Sequence, residues 1–409
     1  MVAPRKSGVA SRIANLRLLL LLGLSVTALA VAACGGSDNS SSSSGSSSAA
    51  SGDDSAGNSQ VAAAEQAYKA QMGEAQWKAP GPPFDASKAS GKSVYYIGVD
   101  MSIPILQTIA GQLKDALATA GAKLVVCDGK GQPTEWKSCA DNAVARKAGA
   151  IIVESFPAEL IAGSLANAKK AGIPVIDGNN ADPTDPLGAG TDARVAFQYS
   201  KSGRLVSDWV IADSKGKANV LILATSDVPN SKAVVKNGYE AELREKCPGC
   251  KFTTKSIPIA QWSTNLGPLT QSSLNSDPTI NYIIPAYDGM STFVLPAIRQ
   301  AGKADKVKVA TFNADLDPMQ NMAKGNMIGV DVGSHNTYEG WAYADQAMRL
   351  MTGQKPLQDE LVPIRVFTAD NVKDLTLTPA AEKSGEWYGD PTYKTEFPKL
   401  WGVKGGNAS

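Results

Sequence analysis

Two polar residues that could hold a small ligand stand directly after an apolar stretch in the second half of the chain. Residues 282–284 are apolar and predict a short buried parallel strand, and Tyr287 and Asp288 follow it. The next helix pattern ends at Gly302, and Pro296 within it predicts a kink or a late start. Ligands of open α/β sheets bind beyond the carboxyl ends of the strands. Tyr287 and Asp288 are therefore candidate ligand-binding residues.

Further polar or aromatic residues follow other predicted strands, and together they indicate a binding site. Asn179 and Asn180 follow the fourth strand, Asn313 follows the last, and Trp262 lies in a loop after the strand at 252–257. Each has a simpler explanation, because asparagines are common turn residues and a tryptophan could belong to the core. The convergence of several such residues on one sheet edge favours ligand binding.

Motifs of the common catalytic and metal sites are missing from the sequence. A Ser–His–Asp arrangement would depend on His335, the single histidine, and no GxSxG, GxxxxGK[ST] or HExxH motif occurs. Asp182 and Asp185 lack the spacing of a calcium-binding loop. These observations predict a binding protein that uses no cofactor or metal, and not an enzyme.

The charge balance argues against nucleic acid as a partner. Forty basic and 39 acidic residues give a formal charge of 40 − 39 = +1. The first 33 residues contain four basic residues and no acidic one, so the remainder carries 36 − 39 = −3. Binding to a phosphate backbone needs clustered positive charge, which this composition lacks.

The N-terminal residues predict export and a membrane anchor. The apolar run at 18–33 follows four basic residues and is shorter than the ~20 residues that span a bilayer. It ends in VAACG, which resembles a bacterial lipobox with Cys34 as the lipidated residue; a plain signal peptide or a short anchor helix are the alternatives. The serine-rich residues 34–60 then predict an unfolded tether.

The remaining four cysteines could form two disulfides in an exported protein. Cys247 and Cys250 form a single CxxC, which could be a redox site, half of a zinc site or a structural bridge. Because no second CxxC exists and the chain has one histidine, a structural bridge is favoured. Cys127 ends a predicted strand and Cys139 stands early in the next predicted helix, so we expect these two to pair.

Alternating strand and helix patterns must position the candidate residues. In the first half, strands are predicted at 94–99, 123–127, 150–153 and 173–176, and helices at 105–120, 136–147 and 158–171. In the second half, strands are predicted at 220–223, 252–257, 282–284 and 307–311, and helices at 193–212, 233–245, 266–276 and 293–301. Repeated βα units predict an α/β fold with two doubly wound parallel sheets. A cleft between two such lobes is a usual ligand site.

Four segments carry a resemblance to a known family. They are KAGAIIVESFPAELIAGSLANAKKAGIPVIDGNN, AYDGMSTFVLPAIRQAG, VATFNAD and HNTYEGWAYADQAM. They resemble the periplasmic binding proteins of the ribose and galactose type, which are the substrate-binding subunits of ATP-driven importers. The resemblance covers about residues 93–367. It implies two lobes that are joined by a three-crossing hinge and close on the ligand.

The resemblance also implies a set of ligand contacts. Ile103, Ile105 and Leu106 flank the first-lobe proline, Asn179 and Asn180 replace an Asp-Arg pair, and Trp262 matches an aromatic lid. Tyr287 replaces the asparagine of an Asn-Asp pair whose aspartate is retained as Asp288, Asn313 replaces an aspartate, and His335 replaces a hinge glutamine. Asp288 alone is charged at neutral pH, and at a helix start it could instead cap the helix. A charged ligand would be costly to bury there, so we expect an uncharged sugar or polyol.

His335 allows a further expectation, because the charge of a histidine changes near neutral pH. We expect ligand affinity to vary between about pH 5 and 8, and His335→Gln to flatten that variation. The alternative is a histidine with a purely structural role in the hinge.

By the same resemblance, the chain divides into six parts. They are a signal peptide at 1–33, the tether at 34–60, a lead-in at 61–89, lobe one at 90–191 plus 336–361, lobe two at 192–335 plus 362–368, and a tail at 369–409 that packs on a lobe. We expect a monomer that delivers a small solute to an ABC permease. A sensor that presents its closed form to a signalling partner is the alternative. A repressor is disfavoured, since an export signal occupies the place of its DNA-binding helices.

Overall fold

The first sheet has five strands in the order β2-β1-β3-β4-β5, and all neighbouring pairs are parallel. The strands are Ser93–Gly98 (β1), Lys123–Asp128 (β2), Ala150–Glu154 (β3), Val175–Gly178 (β4) and Ala193–Val195 (β5). The coordinates are a computed structural model that describes residues 53–358 and 360–403. The export signal, Cys34 and most of the tether lie outside those residues. β3 is buried along its whole length, as expected of a central strand with helices on both faces.

Four helices belong to the first lobe. They are Pro104–Thr119 (α2), Pro133–Ala145 (α3), Ala162–Lys170 (α4), which a 3₁₀ turn at Ala158–Ile161 precedes, and Asn336–Met351 (α11). Ile109, Leu113 and Leu117 form the buried stripe of α2, four residues apart. Ile105, one turn earlier on the same stripe, is only half-buried. The apolar face of α2 therefore extends beyond the core at its first turn.

The second sheet has six strands in the order β11-β10-β9-β8-β6-β7. The strands are Asn219–Ala224 (β6), Lys251–Ser256 (β7), Tyr282–Pro285 (β8), Lys308–Asn313 (β9), Ile328–Ser334 (β10) and Ile364–Thr368 (β11). The predicted class, two doubly wound sheets, is confirmed. β11 was not predicted and runs antiparallel to β10 at the sheet edge. It belongs to the segment that returns to lobe two after the last crossing.

The second lobe contains helices on both faces of its sheet. They are Tyr199–Asp213 (α5), Pro229–Ser231 (α6), Ala241–Lys246 (α7), Trp262–Ser276 (α8), Ser291–Gln300 (α9) and Leu316–Ala323 (α10). A π-helix at Lys232–Glu240 joins α6 to α7, where a single helix was predicted. It passes very close to α5, because a Cβ at Gly238 would lie 2.8 Å from the Cα of Gly203. A side chain at either glycine would push these helices apart.

Two further predictions about helices differ from the structure. Residues 193–195 of the predicted helix at 193–212 form β5, which pairs with β4 and completes the first sheet. Non-local pairing here overrides the local helix pattern. The helix that contains Pro296 begins at Ser291, so the expectation of a late start was wrong.

Three crossings of the chain join the lobes, and hydrogen bonds hold them side by side. The amide of Ala196 donates to the carbonyl of Glu360 at 2.9 Å, and the amide of Val362 donates to the carbonyl of Ala196 at 3.1 Å. The amide of His335 donates to the carbonyl of Pro363 at 2.9 Å. The first crossing lies near residue 196 rather than 191, because β5 keeps residues 193–195 in the first sheet.

The N-terminal lead-in and the C-terminal tail run beside each other outside the three crossings. A helix at Asp53–Lys69 (α1) packs on α5, so the expectation that the tether stays unfolded to residue 60 was wrong. The tail forms helices at Ala369–Val372 (α12), Pro379–Ser384 (α13) and Tyr393–Leu400 (α14). α12 packs on α10 of lobe two, and α14 packs on α11 of lobe one. The tail therefore contacts both lobes, whereas contact with a single lobe was expected. No helix in the described ranges is long and apolar enough to cross a membrane.

Both expected disulfides are present, with Cα–Cα distances of 5.8 Å for Cys127–Cys139 and 5.2 Å for Cys247–Cys250. The first closes a 12-residue separation and the second a 3-residue separation. Chain entropy predicts that they stabilise the fold by ~3 and ~1.5 kcal/mol respectively. We expect the Cys127→Ser/Cys139→Ser variant to unfold at lower urea concentration than the Cys247→Ser/Cys250→Ser variant. Peptide mapping that found free thiols at all four positions would contradict both bridges.

Candidate functional site

A cleft of about 670 Å³ opens between the lobes, beyond the carboxyl ends of the strands. This volume lies in the usual range for small-molecule sites. Lobe one contributes Ile103, Ile105 and Thr108 from the start of α2. Lobe two and the hinge contribute the residues after β8 and β9 and the first turns of α8 and α11. The tail also contributes, through residues 382–388.

Six of the ten predicted ligand contacts line this cleft. They are Ile103, Ile105, Trp262, Tyr287, Asp288 and Asn313. Trp262 is the first residue of α8 and not part of a loop, because a 3₁₀ turn at Ile259–Gln261 already begins the helical path. Four of the six residues selected because they follow a predicted strand therefore line the cleft, namely Trp262, Tyr287, Asp288 and Asn313.

Leu106 and His335 do not line the cleft. Successive residues of an α-helix are rotated by about 100°, so Leu106 turns into the core while Ile105 faces the cleft. His335 is 3% exposed, and its ring stacks on that of Tyr388 with centroids 4.6 Å apart. These two residues stand behind the cleft wall.

Asn179 and Asn180 do not line the cleft either, since acidic groups of lobe one bind their amides. The Nδ2 of Asn179 donates to Oε1 of Glu154 at 2.7 Å. The Nδ2 of Asn180 donates to Oδ1 of Asp177 at 2.7 Å. Asn179 also has a positive φ of 56°, which agrees with the alternative of a turn residue. In this conformation their side chains hold lobe one together and do not face a ligand.

Asn230, which sequence reasoning missed, joins the two lobes beside the cleft. Its Nδ2 donates to the carbonyl of Asn179 at 3.1 Å and to the hydroxyl of Tyr199 at 2.9 Å. Its Oδ1 accepts a hydrogen bond from the hydroxyl of Tyr287. Asn230 lies within α6 and does not directly follow a strand as Asn179 follows β4, so the strand-end rule did not select it. Only the structure shows that these two residues meet.

Trp262 carries a hydrogen-bond donor that no described residue accepts. Its indole Nε1 is buried and without a partner among residues 53–358 and 360–403. Its ring lies 6.5 Å from that of Tyr287, measured between centroids. A buried donor without a partner costs about 1–3 kcal/mol. A ligand oxygen in the cleft would remove that cost.

Asp288 lines the cleft but uses both carboxyl oxygens within the protein. Thr311 Oγ1 donates to Oδ1 at 2.6 Å, and the amide of Asp315 donates to Oδ2 at 2.7 Å. Asp331 lies beneath it, fully buried, and accepts the amide of Ala314 at 3.0 Å. Burial raises the pKa of Asp331 to about 7, and burial together with Asp331 raises the pKa of Asp288. Asp288 does not cap the helix that it begins, since its carboxyl oxygens accept hydrogen bonds from Thr311 and Asp315 instead.

Three carboxyl groups outside the predicted set also line the cleft. They belong to Asp315, Asp317 and Glu382. Burial, and after it the charge of Asp288, raises the pKa of Asp315; burial is also the main cause of the raised pKa of Glu382. No lysine, arginine or histidine of the described chain lines this cleft. The described walls therefore offer carboxyl oxygens as hydrogen-bond acceptors and no positive charge.

Burial removes the basis of the pH dependence expected from His335. It lowers the pKa of His335 to about 3, and Lys394 adds to the effect. The ring is therefore neutral from pH 5 to 8. Its Nδ1 lies 3.0 Å from Oγ1 of Thr337. This geometry favours the alternative, a structural role in the hinge.

Comparison with known proteins identifies the family. The model of the periplasmic binding protein domain matches residues 94–355, well over half of the chain. This chain belongs to the periplasmic binding protein family. Members of the family are solute-binding proteins that act outside the cytoplasm, and they are not enzymes.

Individual relatives agree with this assignment. The D-apiose import binding protein of Actinobacillus succinogenes is 25% identical over 240 residues, which are 57% of this chain and 74% of the relative. A solute-binding protein of the same organism, solved with bound D-allose, superposes with a TM-score of 0.61 at 20% identity, over 69% of this chain and 100% of that one. The Caulobacter myo-inositol binding protein gives 0.61 at 22% identity, over 70% and 96%. The two structures establish the fold of this periplasmic binding protein.

Proposed function

We propose that this periplasmic binding protein captures a small uncharged sugar or polyol in the cleft and delivers it to an ABC permease. We further propose that it does so while anchored to the membrane through a lipid on Cys34. The observation that carries the proposal is the composition of the cleft walls. Among the described residues, carboxyl groups and no basic side chain line the cleft, and Trp262 adds an aromatic face and a donor that none of them accepts.

Hydroxyl groups fit these walls better than anionic groups do. Each hydroxyl donates one hydrogen bond and also accepts, so a polyol can satisfy the carboxyl oxygens and the indole of Trp262 together. An anionic ligand would face Asp315, Asp317 and Glu382 without a counter-charge. The names of the relatives, which bind D-apiose, D-allose and myo-inositol, support the same class.

A thermal-shift screen of the purified chain tests the ligand class. The screen covers aldoses, ketoses, linear polyols and inositols, with a dicarboxylate and a diamine as charged controls. A compound at 100 times its Kd should stabilise the protein by ~2.7 kcal/mol. Stabilisation by a neutral polyhydroxyl compound is expected. Strong stabilisation by the dicarboxylate or the diamine alone would contradict the proposed class.

Substitution of Trp262 tests whether the ligand binds in this cleft. Trp262→Ala should weaken binding of the stabilising compound by ~1–3 kcal/mol, because an aromatic contact and a donor are both lost. Trp262→Phe should cost only ~0.5–1.5 kcal/mol, since the ring remains. Trp136→Phe is the matched control, because the Nε1 of Trp136 donates to Val99 at 3.1 Å away from the cleft. Equal Kd values for Trp262→Ala and wild type, measured by titration calorimetry, would place the ligand elsewhere.

Cys34 should carry the anchor, since the lipobox-like VAACG directly follows the apolar run. We expect wild-type protein to partition with membranes and Cys34→Ala to accumulate as a soluble or uncleaved form. Ser37→Ala, three residues on, should behave as wild type. Fractionation with mass spectrometry of the N-terminus separates these outcomes. Membrane partitioning of Cys34→Ala at the wild-type level would show that another segment anchors the protein.

A further inference from the structure

We propose that the C-terminal tail is part of the ligand site, and that Glu382 and Tyr388 form hydrogen bonds to hydroxyl groups of the ligand. The tail lies beyond the residues that the family model matches, which end at 355. Its residues 382–388 nevertheless line the same cleft as Ile105 of lobe one and Trp262 of lobe two. The inference rests on the proposed function, because it concerns the same cleft and the same class of ligand.

The tail is held in place at the cleft by its own contacts. Glu382 Oε1 accepts the amide of Leu316 at 2.8 Å, which ties α13 to lobe two. The indole of Trp387 donates to the carbonyl of Thr376 at 2.8 Å, and the ring is 1% exposed. The carbonyl of Tyr388 accepts the amide of Ala75 from the lead-in at 3.0 Å. This wall is formed before a ligand arrives.

Gly385 brings the tail close to the hinge. It has a φ of +77°, which favours glycine, and a Cβ at this position would overlap the hydroxyl of Thr337. Thr337 lies in the first turn of α11, directly after the second crossing. The tail therefore packs against the hinge as tightly as its backbone allows, and its next residues are directed to the cleft.

Two polar groups of this wall are unused by the protein. Glu382 makes one hydrogen bond, through Oε1, so Oε2 has no partner in the described part of the chain. Tyr388 is 5% exposed, its ring is stacked on His335, and its hydroxyl makes no hydrogen bond to a described residue. Tyr388 lines the cleft, so a ligand hydroxyl there can form a hydrogen bond with its phenol. The carboxylate oxygen can accept a hydrogen bond from one ligand hydroxyl, and the phenol can donate a hydrogen bond to another.

The test uses near-isosteric variants, which keep the packing of the tail. The probe is whichever of D-apiose, D-allose, myo-inositol and the other screened compounds stabilises the full-length wild-type chain most. Glu382→Gln should raise its Kd about 10-fold or more, and Tyr388→Phe about 2- to 10-fold, because hydrogen bonds to charged groups are the stronger ones. Tyr393→Phe is the control, because its hydroxyl bonds Thr337 at 3.0 Å and it does not line the cleft. Its Kd should stay within about 2-fold of wild type by the same measure.

A second measurement does not depend on substitution. Saturation with the probe should slow amide hydrogen exchange in residues 382–388 more than in residues 393–400 of the same tail. Unchanged Kd values for both variants, or no protection at 382–388, would overturn the role of the tail while leaving the proposed function intact. A probe that is charged and binds through Glu382 would overturn the uncharged ligand class and keep the tail in the site. No stabilising compound in the whole screen would overturn both.

Discussion

Replacing Arg349 with methionine is expected to lower the free energy of unfolding by about 3–5 kcal/mol, the usual cost of breaking a buried ion pair from one side. The Nε of Arg349 donates to Oδ2 of Asp345 at 2.6 Å, and the two side chains are 2% and 0% exposed. Methionine preserves most of the volume but leaves the Asp345 carboxylate without its cation. The desolvation of that carboxylate, rather than the lost attraction, is the main cost.

Arg349 also holds the lead-in and the tail against lobe one. One of its terminal nitrogens donates to the carbonyl of Pro82 at 3.1 Å, and its guanidinium lies 4.4 Å from the ring centre of Phe84. The indole of Trp401 donates to the other oxygen of Asp345 at 2.6 Å. We therefore expect Arg349→Met to loosen both segments in hydrogen exchange, in addition to lowering global stability.

Urea denaturation measures the effect, with Arg244→Met as the control. Arg244 pairs with Glu240 at 3.5 Å, but its side chain is 62% exposed, so its loss should cost at most ~0.5 kcal/mol. A loss below ~1 kcal/mol for Arg349→Met would mean that Asp345 takes up a proton instead. That outcome is physically available, since burial raises the pKa of Asp345 more than Arg349 lowers it.

Asp331→Asn is expected to remove a pH-dependent loss of stability of about 4 kcal/mol between pH 4 and pH 8. Burial raises the pKa of Asp331 from 3.8 to about 7. A raised native pKa means that the folded protein holds its proton more tightly than the unfolded chain. The resulting stability is fully present below pH 3.8 and is lost as the pH rises to about 7. Asparagine cannot ionise, so its contribution stays constant.

The quantity to measure is the difference in unfolding free energy between Asp331→Asn and wild type, followed from pH 4 to pH 8. Asparagine retains an oxygen to accept the amide of Ala314, as Asp331 Oδ1 does at 3.0 Å. The difference should move in favour of the variant as the pH rises. Asp390→Asn, on the exposed part of the tail, is the matched control. A flat difference for Asp331→Asn would show that the carboxyl ionises as easily in the folded protein as in the unfolded one.

Local sequence patterns determined the architecture of this periplasmic binding protein. The spacing of apolar residues within each strand or helix indicates which face is buried, and this spacing can be seen within a few neighbouring residues. The same local logic located part of the cleft wall, because polar residues after parallel strands all lie at one sheet edge. The disulfide pairs could also be predicted from the sequence, since each joins residues that are near in the chain.

The partners of individual side chains depended on contacts between distant parts of the chain. Asn179 and Asn180 directly follow a strand, which is where a ligand contact was expected. Their side-chain amides instead donate hydrogen bonds to Glu154 and Asp177. His335 was expected to titrate near neutral pH, but it is buried against Tyr388, and this burial lowers its pKa. The β5 and β11 strands exist because a sheet edge was available to pair them. Apart from Asp177, which is three residues before Asn180, each deciding neighbour is remote in sequence, and periodicity carries no information about it.

The tail shows this distinction most clearly. Its aromatic residues predicted that it packs on the protein, and burial of Trp387 and Trp401 agrees with this. Nothing in residues 369–403 by themselves indicates that Glu382 and Tyr388 reach a cleft between two lobes. That placement depends on the Leu316 amide, the hinge turn at Thr337 and the lead-in, which come from three separate stretches of the chain. The sequence determined that the tail folds onto the protein, and the tertiary structure decided where, because a hydrophobic segment specifies burial but not the surface that buries it.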